Sequence, residues 1–408
     1  MNKYNTIFKK ARILTPAFSA DPAAMKSWAV IACDQFTSEP GYWSECGKMI
    51  GDAPSALGYV MPEAWLGTEE EGRQAERIRE NMASFLPSDM RETDGFVYVE
   101  RTLPDGSIRR GIVGCVDLEA YDYAAGSTPP VRATEGTVLE RIPPRQKVRA
   151  EASAEFPHIL VLADDRAGLF DCARHLAGSL LYDFDLMQGG GHIRGWAIAG
   201  TGALRLSEKL AEYEGSMGDM VYAVGDGNHS LAAAKAHWEK VKGEGADMNH
   251  PARYALCEIT PLGDESLRFE PIYRLVKNCD PADLEAALEA VTGESAPDGQ
   301  TVTLVTKDGR EARTFLSPTH SLTVGSLQDF IDRYTAEHPG TVCDYIHGED
   351  SLVRLAQAPD AAGFLFGGMD KGELFPYVRQ FGRLPRKTFS MGEAESKRYY
   401  LEAREIVR

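Results

Sequence analysis

The sequence predicts a mixed α/β protein that carries an additional α/β region toward its C-terminal end. Three observations lead there. Strand-like and helix-like runs alternate from His158 to about residue 260, hairpin patterns stand on either side of that alternation, and 43% apolar with 26% charged residues over 408 positions suits two or three domains with sizeable cores.

Trp28 to Cys33 is an apolar run of the kind that makes a buried strand, and the polar stretch DQFTSEP follows it, before a helix through Trp43 to Ile50. A second helix is expected over 68–86, where Ala75, Ile78, Met82 and Phe85 share one face. Phe96 to Arg101 and Ile108 to Leu118 flank LPDG and read as a hairpin. The alternation then runs strand 158–163, helix 167–181, strand 192–199, helix 203–213, strand 220–225, helix 229–242 and strand 252–260. Beyond Phe269 come a helix near 281–292, a hairpin of 301–306 with 310–316, helices near 325–337 and 371–380, a strand at 363–366 and a final helix from Glu393. This divides the chain into an N-terminal α/β segment (1–130), a core (131–276) and a C-terminal α+β region (277–408).

A formal charge of −17 argues against duplex nucleic acid or an acidic membrane surface as a partner, and leaves room for a phosphorylated small molecule held in one basic pocket. The seven cysteines are scattered and include no CxxC pair, so they read as reduced thiols. No stretch has the apolar length of a signal peptide or membrane span, and a cytoplasmic location is expected.

The segment VGDGNHSLAAAK (224–235) breaks a strand at a turn and enters an alanine-rich helix. Gly225 and Gly227 permit backbone angles that other residues resist, while Asp226 and Asn228 tolerate the left-handed region best among the rest. Ser230 then lies in the first helical turn, where unpaired amides and the helix dipole favour phosphate or carboxylate. Asp226 offers a magnesium ligand or a base, and His229 a proton-transfer group or neutral donor. The plainer alternative is a tight strand-to-helix turn with Asn228 or His229 near the N-cap.

Other segments add weaker candidates. TEGTVLERIPPRQKVRAEA (134–152) concentrates Arg141 and Arg145 with Lys147 and Arg149, either to meet a polyphosphate or as a solvated helix face. GGGHIRGW (189–196) places His192 and Arg194 on one face of a strand after three glycines, as a phosphate-covering loop or a plain glycine-rich one. Asp183 and Asp185 stand two apart just upstream, and read as surface charge or a cation site. Asp34 and Glu39 follow the first strand, where a carboxylate deprotonates a substrate hydroxyl or holds magnesium. The basic stretch 382–400 either closes over an anionic ligand or decorates the final helix. GxGxxG after a strand, GxxxxGK[ST], HExxH and GxSxG are all missing.

The segments WAVIACDQFTSEPGYW, TEGTVLERIPPRQKVR, FPHILVLADD, LYDFDLMQGGGHIRGW, VGDGNHSLAAAKAHWE, HPARYALCEI, FEPIYRL, DYIHGED and LPRKTFSMGEAESKRYYLEAR together resemble the uncharacterised family DUF1015. Its DG-x-H element is similar to one in the wider superfamily of ParB-type nucleotidases, sulfiredoxin and free-serine kinase. That resemblance implies a ParB/sulfiredoxin-like core and phosphate-binding roles for Gly225, Asp226, Gly227, Asn228 and His229. It also implies phosphoryl transfer from ATP or ADP, with Mg2+, to a small hydroxyl compound such as serine, using a carboxylate base for which Asp34 or Glu39 is the positional candidate. Arg141 and Arg145 would then offset charge. The expected partners are a nucleotide and a small-molecule substrate, with a homodimer left open.

Overall fold

A computed structural model of the chain describes residues 5–407 except 38, 86, 297 and 298, and leaves the side chains of residues 40, 141, 144 and 147 undescribed. The chain forms two compact units, one of residues 1–267 with 393–408, the other of 268–392. The division at 130 proposed from sequence falls inside the first unit. Strands 121–122 and 131–133 on its two sides pair with each other, so the sheet itself bridges the cut. The division at 276 falls within strand Phe269–Lys277, and residues 393–408 belong with the first unit rather than with the C-terminal region.

The first unit is a mixed α/β structure built on an eleven-stranded sheet. Its main path runs 180–185, 192–199, 90–102, 108–117, 254–261, 160–163, 222–226, 131–133, 121–122. Most neighbours are antiparallel, but 160–163 is parallel to 254–261, and 131–133 is parallel to both 222–226 and 121–122. Period-two alternation sends successive side chains to opposite faces. Val97, Val99, Val113 and Cys115 enter one core with Trp28, Trp43, Ile78 and Tyr399. Phe96, Tyr98, Ile112 and Val116 enter the other, under helices Leu169–Leu176, Gly200–Ser216 and Asn228–Gly243.

Two sequence expectations fail here for identifiable reasons. The run from Trp28 yields only the strand Val30–Ile31, because Asp21 caps the amides of Ala23 and Ala24 and Pro22 opens a helix that continues to Trp28. The final helix from Glu393 does not form. A 3-10 turn Ala394–Ser396 leads into strands Tyr399–Tyr400 and Arg404–Glu405, which pair with Val30–Ile31 and Ala154–Glu155. Sheet pairing overrides the helical propensity of Glu, Ala, Lys and Arg in that stretch.

The second unit is an α/β structure with an antiparallel sheet ordered 292–293, 309–315, 300–306, 361–366, 269–277, 342–347. Helices Pro281–Glu289, Thr323–Glu337, Glu349–Leu355 and Leu374–Phe381 accompany it. Among the described residues no helix is long and apolar enough to cross a membrane.

Candidate functional site

Strand Tyr222–Asp226 delivers the VGDGNHS turn from a buried position. Its register with 160–163 shifts between Val224 and Asp226, leaving Gly225 at the irregularity. Gly227 has φ +77° and ψ 26°, and a Cβ there would stand 3.0 Å from the Ile159 Cα, so both conformation and space select glycine. Helix Asn228–Gly243 starts at once, without a side-chain cap, and Leu231 N–H is the amide that reaches back to the Gly227 carbonyl. The amides of Asn228, His229 and Ser230 therefore precede the first helical hydrogen bond. Asn228 Oδ1 is buried with no hydrogen-bond partner, an arrangement that costs energy unless something supplies a donor.

Residues 134–138 line the same turn. Thr134 Oγ1 donates to the Val224 carbonyl at 2.7 Å, and Val138 N–H donates to His229 Nε2 at 3.2 Å. That bond requires Nε2 to be an unprotonated acceptor, so His229 secures the neighbouring segment through this nitrogen rather than offering it as a proton donor. Thr137 Oγ1 is a second buried oxygen without a partner.

Lys397 stands beside one carboxylate, and its charge acts on a second. Asp226 accepts from Gly227 N–H at 3.0 Å through Oδ1, and its Oδ2 lies 3.6 Å from Lys397 Nζ. Asp34 follows Val30–Ile31 and accepts from Gln35 Nε2 at 3.0 Å. Burial pushes the Asp34 carboxyl upward, but His158, the Gln35 bond and Lys397 outweigh it and hold the group below the usual carboxylate range. Asp34 is thus an anion near neutral pH. The adjacent Cys33 thiol is pushed up to about 12 by burial and by Asp34, which removes it as a thiolate nucleophile.

Lys397 reaches this place on the returning C-terminal segment. The Arg101 guanidinium donates to the carbonyls of Gly190, Glu395, Ser396 and Lys397, and Arg109 donates to Ser396 at 2.8 Å. Ala32 N–H then binds the Arg398 carbonyl at 2.9 Å, and Tyr400 Oη meets His158 Nδ1 at 2.7 Å. Arg398 itself is buried between Glu258 and Glu402, at 2.8 and 2.6 Å.

The structure holds Gly225, Asp226, Gly227, Asn228, His229 and Ser230 on one strand-to-helix turn, and Asp34 is linked to it through the charge of Lys397. Arg145 joins their margin, paired with Glu63, whose N–H binds the Cys33 carbonyl at 2.8 Å. Arg141 ends the 3-10 turn Leu139–Arg141, and its side chain lies outside the described residues, as does Ser38 of DQFTSEP. Glu39 precedes helix Pro40–Ile50 with an exposed side chain and no capping bond.

His192 and Arg194 lie elsewhere on the sheet. Strands 90–102, 108–117, 254–261 and 160–163 stand between theirs and 222–226. His192 is held by Asp185 at Nδ1 and Asp183 at Nε2, both at 2.7 Å, and the Arg194 guanidinium lies 5.8 Å from the Trp196 ring centre. Sequence reasoning missed Arg101, Arg109 and His158, and it left Lys397 either to close over an anionic ligand or to decorate a final helix, which does not form. The available signal was the Tyr-Tyr-Leu run after Lys397, which suits a strand.

Among the described residues, three ligating side chains come within 4.8 Å of one another at Glu285, Glu289 and Glu311 of the second unit. Arg313 bridges Glu289 and Glu311 there, at 2.7 and 2.5 Å, and supplies the opposing charge.

The first unit is a mixed α/β structure in which helix Asn228–Gly243 starts without a side-chain cap, directly after the Asp226 carboxylate. Residues 14–334 match the family described as "Protein of unknown function (DUF1015)", and the chain belongs to that family. A comparison with curated proteins finds no match. Among solved structures, a free serine kinase mutant in complex with AMP is 12% identical, covering 70% of this chain and 90% of that one, with a TM-score of 0.40. SbnI with a C-terminal truncation from Staphylococcus aureus is 10% identical over 69% of this chain and 82% of that one, at 0.36. A conserved hypothetical protein from Pyrococcus furiosus is 13% identical over 70% and 90%, at 0.33. These likenesses are remote.

Proposed function

We propose that the protein is a nucleotide-dependent phosphotransferase of ParB/sulfiredoxin type, acting on a small hydroxyl metabolite, with ATP or ADP as donor and Mg2+ as cofactor. The observation that carries this reading is the uncapped start of helix Asn228–Gly243, with the orphaned Asn228 Oδ1, set directly after Asp226 and facing the same lysine that influences Asp34. Phosphoryl transfer depends chiefly on positioning and on neutralising charge, and these are the groups that do both.

In this scheme the amides of Asn228, His229 and Ser230 receive phosphate oxygens. Asp226 supplies the hard oxygen donors that suit magnesium. Magnesium, when bound, neutralises charge across the phosphates. Asp34 orients the acceptor hydroxyl. Its lowered pKa makes it a weak proton acceptor but a persistent anion, which suits a reaction whose loose transition state needs alignment of the nucleophile more than early deprotonation. Arg145, through Glu63, places positive charge at the margin.

Phosphorus NMR of the purified protein with magnesium, ATP or ADP, and a pool of free amino acids tests the reading. Free L-serine heads the acceptors, following the DG-x-H resemblance. A new phosphomonoester resonance is the expected result. Unchanged nucleotide alongside a positive binding titration would make the protein a nucleotide-binding regulatory module, and free phosphate without acceptor would make it a hydrolase.

A further inference from the structure

We propose that Lys397 is a built-in rival of the divalent cation: its ammonium neutralises Asp226, yields it to the metal, and then contacts the nucleotide phosphates. The phosphate half of this inference rests on the nucleotide reading above.

Three observations carry it. First, the lysine and aspartate are enclosed, with side-chain exposures of 13% for Lys397 and 16% for Asp226, so each charge requires the other. Second, their 3.6 Å separation is longer than a charge-assisted hydrogen bond, and among the described residues the ammonium has no hydrogen bond to another group. An ammonium carries three N–H donors, so its hydrogen-bonding capacity is unspent beside the uncapped helix start. Third, two arginines clamp the backbone that carries it. Arg101 and Arg109 are 1% and 4% exposed, their Nε atoms are buried without hydrogen bonds although that of Arg109 lies 3.9 Å from Glu258, and their terminal nitrogens donate to carbonyls of residues 395–397.

That clamp is costly. Burial and the neighbouring Arg109 charge bring the Arg101 guanidinium down to about 9. A segment that needed only to close a sheet edge is served by the pairing of Tyr399–Tyr400 with Val30–Ile31. Arg101, given wholly to backbone carbonyls, and Arg109, shared between Glu258 and the Ser396 carbonyl, fix where the Lys397 side chain begins, which makes them positioning residues for it.

The test uses the full-length protein and measures two affinities for each variant: Mn2+ alone, by the loss of its free electron paramagnetic resonance signal, and ADP with saturating Mg2+, by calorimetry. Removing the ammonium by Lys397→Met is expected to tighten Mn2+ binding by about fivefold or more and to weaken ADP binding by about tenfold. Lys397→Arg, which keeps the charge, is expected to recover most of the ADP affinity. Opposite signs are the signature, because a merely structural lysine weakens both. Lys397→Gln, which keeps the length and polarity, is measured in parallel and carries the same expectation should Lys397→Met fold poorly by near-ultraviolet circular dichroism.

A wild-type protein that binds Mn2+ and ADP, with variants unchanged or weakened in both, overturns the role of Lys397 and leaves the nucleotide reading standing. A wild-type protein that binds no ADP overturns both.

Discussion

Two glycine-bearing, histidine-bearing segments of the first unit look alike in sequence and differ in the structure. In VGDGNHS, the left-handed Gly227 releases the chain directly into a helix whose first amides are uncapped, and a buried Asn228 oxygen is left without a donor. In GGGHIRGW, glycines make room for neighbours. A Cβ on Gly190 would stand 2.2 Å from the Tyr399 hydroxyl, one on Gly191 2.1 Å from the Thr102 carbonyl, and one on Gly195 2.2 Å from the Tyr182 ring. The histidine of the second segment is already satisfied at both nitrogens by Asp183 and Asp185. Glycine beside histidine therefore does not mark an anion site by itself. What distinguishes the first segment is unspent hydrogen-bonding capacity at a helix start.

Substitutions can break this comparison. The largest effect is expected from Asp226→Asn, which should lower phosphoryl transfer by at least about 100-fold. Stability should fall as well, because the change leaves the enclosed Lys397 without its carboxylate, so rates are compared on protein shown to be folded by near-ultraviolet circular dichroism. Asp183→Asn is the control, and phosphorus NMR rates should stay within about twofold of wild type.

Gly227→Ala and Gly195→Ala should each destabilise by about 1–3 kcal/mol, the first through φ +77° and the Ile159 backbone, the second by overpacking against Tyr182. Only the first should also weaken ADP binding, by about tenfold. Urea unfolding and calorimetry together separate the two, and equal ADP affinities would erase the distinction.

A smaller effect concerns the helix that Gly227 opens. His237 on that helix is buried, its Nδ1 lacks a partner, and burial together with Arg149 brings its pKa down to about 4 from 6.5. The folded state thus holds fewer protons on this group than the unfolded chain between those values. Its contribution to stability is full above about pH 6.5 and is lost as the pH falls toward 4. His237→Gln should flatten the fall in melting temperature between pH 7 and 5, and an unchanged slope would remove this histidine from the account.

Smallest is His192→Gln. Its partners are partly exposed, so stability should change by no more than about 1 kcal/mol and ADP affinity not measurably.

Much of the fold was legible where local signals agreed. Strand 192–199 is observed with the expected limits, and helices 228–243 and 323–337 differ from expectation by at most two residues at either end. The turn at Gly227 was readable because its requirement is local: a left-handed residue between a strand and a helix. The cation beside Asp226 was not. Lys397 arrives from a distant part of the chain, on a stretch whose composition favours helix, between the 3-10 turn Ala394–Ser396 and the strand Tyr399–Tyr400 that pairs with Val30–Ile31. His192 shows the converse. Its face was read correctly from period-two spacing, yet spacing carries no information on how many strands separate it from Asp226.

The order in which the chain is made gives the division into units a further meaning. Residues 268–392 are inserted between the body of the first unit and the segment that completes it, and the ends of the insert meet, with Gly392 N–H donating to the Arg268 carbonyl at 3.1 Å. At about 5–20 residues per second, a ribosome takes roughly 6–25 s to traverse the insert. During that interval the sheet contains Arg101 and Arg109 without the carbonyls of residues 395–397, and Asp226 without its lysine. A nascent chain that stalls in the insert leaves Arg101 with the Gly190 carbonyl and Arg109 with Glu258 alone, so translation must pass residue 397 before the first unit can settle into its final form.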